Sequence, residues 1–141
     1  MQVQAATKSD IPAIMRVERM EGYARLIGRW EAERHAAGFA ILQNIGSANR
    51  SVRLRRIAVE NVGRDVGSLL LRSALQTCFE DLAANRVELF VFVDNQRAYR
   101  TYLKTGFVEE GILRDVHREA DGTFRSSRLM SMLRREWTVR P

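Results

Sequence analysis

Residues 52–107 constrain the fold more than any other part of the chain, because extended and helical periodicities alternate there with no spare linker. Residues 52–59 read as a strand in which Val52, Leu54, Ile57 and Val59 are apolar and Arg53, Arg55 and Arg56 are not. A half-buried strand alternates with period two. Here the alternation slips at the consecutive pair Arg55-Arg56, where one extra residue would make a bulge. A turn containing Gly63 and Gly67 leads into the strongest helical pattern, roughly residues 66–83, with Val66, Leu69, Leu70, Ser73, Ala74, Cys78 and Leu82 on one face. Residues 87–93 read as a strand whose run Leu89-Phe90-Val91-Phe92-Val93 is wholly apolar, the pattern expected where both faces are covered. Asn95 opens another helix, and Gly106 is a natural terminator for it.

The flanks extend this pattern. Residues 2–6 read as a short first strand; Ser9 caps a helix in which Pro12 costs little and Ile11, Ile14 and Met15 share a face. Tyr23, Leu26, Ile27 and Trp30 fall at helical spacing, which predicts a second helix over residues 22–36, with Gly28 a weak point inside it. Gly38-Phe39-Ala40-Ile41-Leu42 reads as a buried strand, followed by a polar turn through Gly46, Ser47 and Asn49. Residues 107–113 and 126–133 pair as a hairpin around Asp121-Gly122. Alternating elements closed by a hairpin predict an α/β (α+β) fold: one domain over residues 1–141, with a mixed sheet and helices on both faces.

Composition narrows the function. Hydrophobic residues make up 45% and charged residues 28% of 141, an ordinary globular balance. The apolar runs are too short to span a bilayer, and Met1-Gln-Val-Gln-Ala-Ala-Thr-Lys does not read as a signal peptide. The lone Cys78 has no partner for an internal disulfide, so the expected home is a reducing cytoplasm. A formal net charge of +6 favours polyanions, whether nucleic acid or a cofactor carrying several phosphates. The basic residues form no tract, and the aromatic-basic interleaving of a nucleic-acid binder is missing, so nucleic acid is not the expected partner. His35, His117 and Cys78 are widely scattered, and no metal site is expected.

Two segments carry chemistry. Arg56-Ile57-Ala58-Val59 followed by Val62-Gly63-Arg64-Asp65-Val66-Gly67-Ser68 is a strand, a glycine turn and a helix start. Glycines let the backbone approach a ligand closely, and the free N–H groups and dipole of the helix N-terminus attract phosphate. Arg64 adds a charge-assisted contact. No Gly-Lys-Ser/Thr follows, so this is not a Walker-type loop. The second segment is Asp94-Asn95-Gln96-Arg97-Ala98-Tyr99-Arg100-Thr101-Tyr102-Leu103-Lys104-Thr105-Gly106-Phe107.

With Asn95, Ala98, Tyr102, Lys104 and Gly106-Phe107 in this register, the chain resembles the GNAT superfamily of acetyl-CoA-dependent N-acetyltransferases. Glu110-Gly111-Ile112-Leu113-Arg114 and Leu129-Met130-Ser131-Met132-Leu133 look like the branch containing the ribosomal-protein N-terminal acetyltransferases. The resemblance covers residues 38–134 well and the first 37 loosely. It implies a mostly antiparallel sheet in which the bulged strand splays from its neighbour. The backbone of Ile57, Ala58 and Val59 then pairs with the pantetheine arm of acetyl-CoA. Residues Gly63, Arg64, Asp65, Val66, Gly67 and Ser68 hold the pyrophosphate, Asn95 bonds the cofactor, and Tyr102 sits near its sulfur.

Two departures from the family pattern stand out. Asp65 occupies the place of the turn's middle glycine and Val62 that of its Gln or Arg; a carboxylate there is favourable to the helix but repels a pyrophosphate. This leaves open a CoA-binding module with little or no transferase activity. In addition, residues 33–39 run from the expected second helix straight into a strand, which leaves no room for the family's usual second strand. The exposed edge that results would invite a homodimer.

Acetyl transfer to an amine needs a neutral amine, a polarised thioester carbonyl and a proton for the departing thiolate. A lysine amine has a pKa near ~10.4 and an α-amine near ~8, so a base helps. Tyr102 is the expected acid. Glu60, at the end of the bulged strand, and Glu18 are the candidates for base. The acceptor is a primary amine, either a protein N-terminus or a small molecule.

Overall fold

In this computed structural model the described residues are 2–4, 26–32, 35–59 and 66–137, with side chains described for 38–58 and 67–137. They form a seven-stranded sheet of order β1-β2-β3-β4-β5-β7-β6, with β1 at Gln2–Gln4, β2 at Leu26–Ala32, β3 at His35–Gln43, β4 at Ser51–Val59, β5 at Arg86–Phe92, β6 at Val108–Arg118 and β7 at Phe124–Leu133. All neighbours pair antiparallel except β4 and β5, which are parallel. A parallel pair needs a crossover. That crossover contains helix α1 (Val66–Gln76), which runs on into a wider π-type turn at Thr77–Asp81. Helix α2 (Gln96–Thr105) follows β5.

The second helix expected over residues 22–36 is a correction. Residues 26–32 are strand β2, with Val3 opposite Trp30 on one side and Trp30 opposite Gly38 on the other. A separation of four, as between Leu26 and Trp30, suits one face of a helix and, being even, one face of a regular strand, so the spacing alone does not choose between them. Gly28 disfavours the helix, and here it lies at a register shift between β2 and β3. Pairing along both edges then outweighs local propensity. The second strand is therefore present, and a homodimer built on its absence loses its basis. The helix expected after Ser9 lies outside the described residues.

The remaining strands lie where the pattern placed them, although β6 and β7 run on past the expected 107–113 and 126–133 into a longer hairpin. Ile41 faces Arg56 and Leu42 faces Leu54, so Arg55 is the extra residue of a bulge. The insertion lets Leu54 and Ile57 reach the same core although they are three apart. Asn44, Gly46 and Arg50 take positive φ in the turn between β3 and β4. Asp121 accepts hydrogen bonds from the N–H (2.9 Å) and hydroxyl (2.6 Å) of Thr123 at the tip of the closing hairpin, where Gly122 has φ 90°.

The main core lies between the sheet and the two described helices. Ala40, Leu42, Val52, Leu54, Val87, Leu89, Val91, Met130 and Met132 face Leu71, Ala74, Leu75, Cys78 and Phe79, with Ala98 and Tyr102 packed alongside. Each large side chain buried this way contributes about 1.5–3 kcal/mol. Leu69, expected on the buried face, is 43% exposed, and Leu71 takes its place. A run of three leucines leaves the exact rotation of the helix face open, and packing settles it. Both described helices share this one cluster. On the opposite face Phe39 and Ile41 form a second buried cluster with Ala58.

Candidate active site

The parallel ladder between β4 and β5 pairs Ser51 with Arg86, Val52 with Val87 and Arg53 with Glu88, and there it stops. The bulge at Arg55 bends β4 just beyond the last pair, so the two strands diverge into a wedge. The edge of β4 from Leu54 to Val59 faces β5 from Leu89 to Phe92 with no ladder between them. A cleft of about 540 Å³ fills the wedge and passes through the plane of the sheet. One wall carries Ile57, Asn95, Ala98 and Tyr102; the other carries Arg53, Phe90, Phe92, Val116 and His117. The run Leu89–Val93 is thus not covered on both faces. Phe90 is 38% exposed, because an apolar residue lining a cleft looks in sequence like one in a core.

Helix α2 sets the first wall. Asn95 is its N-cap, and its Oδ1 accepts from the Ala98 N–H at 3.2 Å. Tyr102 stands seven residues, about two turns, further on and so on the same side. Its ring meets Phe107 edge-on, with centroids 5.8 Å apart. Burial alone pushes the phenol above its ordinary value, so it stays protonated and able to donate at neutral pH. Gly106 ends the helix at φ 115°, its N–H bonded to the carbonyls of Tyr102 and Leu103.

Of the residues singled out in sequence, Ile57, Asn95 and Tyr102 come together at the cleft. Ala58 is the next residue of β4 and packs with Phe39 and Ile41; Val59 ends the strand. Val66, Gly67 and Ser68 open α1. Among the described residues nothing lies within 4 Å of a Cβ placed at Gly67, so their packing does not require glycine there. Glu18, Glu60, Gly63, Arg64 and Asp65 lie outside the described residues. Lys104 is exposed, and Cys78 is a core thiol, 1% exposed and pushed up to about 12 by burial. Among the described residues no three His, Cys, Asp or Glu side chains cluster as metal ligands. No described helix is long and apolar enough to cross a membrane.

Sequence reasoning missed the second wall. Arg53 lies over the Phe90 ring at 4.7 Å and bonds Glu88 at 3.3 Å. Arg125 lies over Phe92 at 3.5 Å, held by Asp94 at 2.6 Å and Glu119 at 3.2 Å, while His117 meets the edge of the same ring at 5.4 Å. Val116 and His117 reach the cleft because β6 is irregular. Leu113 pairs with Ser127 and His117 with Arg125, so three residues stand opposite one, with Asp115 at φ 48°. Arg53 keeps the period-two alternation of β4, so in sequence it read as an ordinary outward polar residue and gave no signal for this wall.

A sheet opened between two parallel strands, with the N-cap of α2 and a buried phenol lining the gap, defines the class of fold to which this chain's relatives belong. The description of the acetyltransferase (GNAT) family matches residues 6–107, and the chain belongs to that family. It is 31% identical over 101 residues to YdaF, a candidate ribosomal N-acetyltransferase of Bacillus subtilis (strain 168), a match spanning 71% of this chain and 55% of that protein. It is 33% identical over 84 residues to the spermidine N(1)-acetyltransferase of Vibrio cholerae, across 59% of this chain and 49% of the relative. A shorter match, 46% over 48 residues, is to the L-amino acid N-acetyltransferase AaaT of Escherichia coli (strain K12), covering 34% and 30%. The chain thus spans about half the length, or less, of these relatives. The spermidine/spermine N-acetyltransferase SpeG of Vibrio cholerae, solved with manganese ions, superposes with a TM-score of 0.84 at 22% identity over 94% of this chain and 92% of that one. At that identity the likeness is one of fold.

Proposed function

We propose that this chain, acting as one domain, is an N-acetyltransferase that moves the acetyl group of acetyl-CoA to a primary amine. The observation that carries the reading is the wedge between β4 and β5, open along the β4 edge and flanked by Asn95 and Tyr102. An extended pantetheine arm fits such an edge, because its amides can take the hydrogen bonds a neighbouring strand would take. The backbone of Ile57, Ala58 and Val59 serves it, and N–H groups of the same edge polarise the thioester carbonyl. Asn95 bonds the arm across the gap. The segment Gly63, Arg64, Asp65, Val66, Gly67 and Ser68 holds the pyrophosphate at the start of α1.

The amine lone pair attacks the carbonyl carbon, a C–N bond forms, and the C–S bond breaks with its electron pair on sulfur. Tyr102 donates its proton to that sulfur, and the amine gives up its own to Glu60, directly or through water. Lone Cys78 makes the cytoplasm the natural compartment. The test is release of free CoA thiol from acetyl-CoA in the presence of a panel of primary amines, with calorimetry for acetyl-CoA itself. Amine-dependent thiol release with 1:1 binding supports the reading. Binding without transfer to any amine would leave a CoA-binding module in its place.

A further inference from the structure

We propose that the acceptor is a small amine that also carries a carboxylate, as an amino acid does, and that Arg53 is the residue that selects it. This rests on the transferase reading above and names the substrate class for the same cleft. The described lining contains Arg53, Arg55 and Arg56 and no Asp or Glu. Arg55 and Arg56 have partners of their own, so the weight falls on Arg53. It stands at the apex of the wedge, in the last pair of the β4–β5 ladder.

The guanidinium of Arg53 is held in place yet incompletely bonded. It lies over the Phe90 ring, and one nitrogen donates to Glu88 at 3.3 Å. Glu88 is divided between Arg53 and Arg86, each at 3.3 Å, long for charge-assisted bonds. Arg86 in turn is held more closely by Glu110, at 2.6 Å. The Arg53 side chain is 34% exposed and lines the cleft, so the donors it offers a ligand lie on its accessible edge; its Nε is buried without a partner and is not one of them. A positioned guanidinium with donors to spare is suited to a planar carboxylate.

The same wall disfavours a polyamine. A second ammonium group would need a carboxylate or an open aromatic face. None of the described lining residues is a carboxylate, and Glu60, outside them, is taken up by the reacting amine. Both rings already carry a guanidinium, Arg53 over Phe90 and Arg125 over Phe92. Each guanidinium is itself paired, Arg53 with Glu88 and Arg125 with Asp94 and Glu119, so the discrimination rests on the occupied rings and not on net repulsion. The neutral end of the cleft, at Ile57, Ala98 and Tyr102, is left for the reacting amine and the thioester.

The experiment measures initial rates at saturating acetyl-CoA for the twenty L-amino acids, their primary amides, putrescine and spermidine. The best acceptor should be an amino acid, with kcat/KM at least tenfold above its own amide and above both polyamines. Arg53→Gln should lower kcat/KM for that acid tenfold or more, chiefly through KM. Its loss with the amide should be at least tenfold smaller than its loss with the acid, and Arg53→Lys should recover part of the loss with the acid. With wild type alone, the N-acetylated acid should inhibit competitively against the acceptor and the N-acetylated amide should not, which tests the proposal even where a variant misfolds. An amide or a polyamine as best acceptor, equal loss for acid and amide in Arg53→Gln, or inhibition by both products would overturn it. Such results leave the transferase reading standing. Failure of acetyl-CoA to bind at all would remove that reading and this one with it.

Discussion

Tyr102→Phe isolates one hydroxyl at the centre of the site. The ring keeps its edge contact with Phe107, and burial is the sole cause of the raised phenol pKa, with no hydrogen bond or charge contributing. Removing a hydroxyl without a structural partner costs the fold little, about 0.5 kcal/mol or less, since no buried partner is orphaned. If that hydroxyl protonates the departing thiolate, its loss removes a general acid, an effect of roughly 10²–10⁴ in rate. That is about 3–5 kcal/mol on the barrier. Single-turnover acetyl transfer, which excludes product release, is the assay, alongside calorimetry with acetyl-CoA and a thermal melt. The expected result is a hundredfold or larger fall in rate with Kd and melting temperature nearly unchanged. Because the phenol is raised above its ordinary value near ~10, wild-type activity should not lose this acid until the pH passes beyond that value. A single-turnover rate within twofold of wild type would leave Tyr102 as a packing residue and refute its role.

Other outcomes follow from particular atoms. Gly106→Ala should cost about 1–2 kcal/mol in denaturant unfolding, because φ is 115° and the new methyl meets the Met132 Cε at 3.3 Å; a cost near zero would mean that the helix end rearranges freely. The Cys78 thiol stays protonated up to about 12 in the fold but titrates near 9.0 when unfolded. The folded state therefore holds more protons between those values, and stability falls as pH rises through them. The margin of wild type over Cys78→Ser should shrink by about 1 kcal/mol per pH unit above pH 9; a pH-independent margin would contradict this. Gly67→Ala should leave the melt unchanged or raise it, since its Cβ meets no described atom within 4 Å, yet weaken acetyl-CoA binding, as read by calorimetry. Asp65→Gly should tighten that binding if the carboxylate faces the pyrophosphate, and no change would turn it toward solvent.

The sequence was most legible where one force dominated locally. The slip at Arg55-Arg56 identified the bulge because period-two patterning has a single way to absorb an extra residue. Asn95 and Gly106 marked both ends of α2 because caps depend on the chemistry of individual residues. Legibility failed where tertiary pairing decided. Residues 26–32 carry a spacing compatible with helix and strand alike, and only β1 and β3 on either side choose between them. Phe90 failed for a related reason, since hydrophobicity does not tell a core from a cleft wall. Arg53 became informative only once the end of the β4–β5 ladder placed it at the apex of the wedge.

The central claim is that acetyl-CoA lies in the wedge as a substitute strand against β4, and a crystal structure of the complex with CoA tests it most directly. The pantetheine amides should lie within hydrogen-bonding distance of the backbone of Ile57–Val59, the pyrophosphate at the start of α1, and the sulfur beside the Tyr102 hydroxyl. CoA bound elsewhere on the molecule, or a wedge closed by β4 pairing with β5 beyond Arg53 and Glu88, would contradict it.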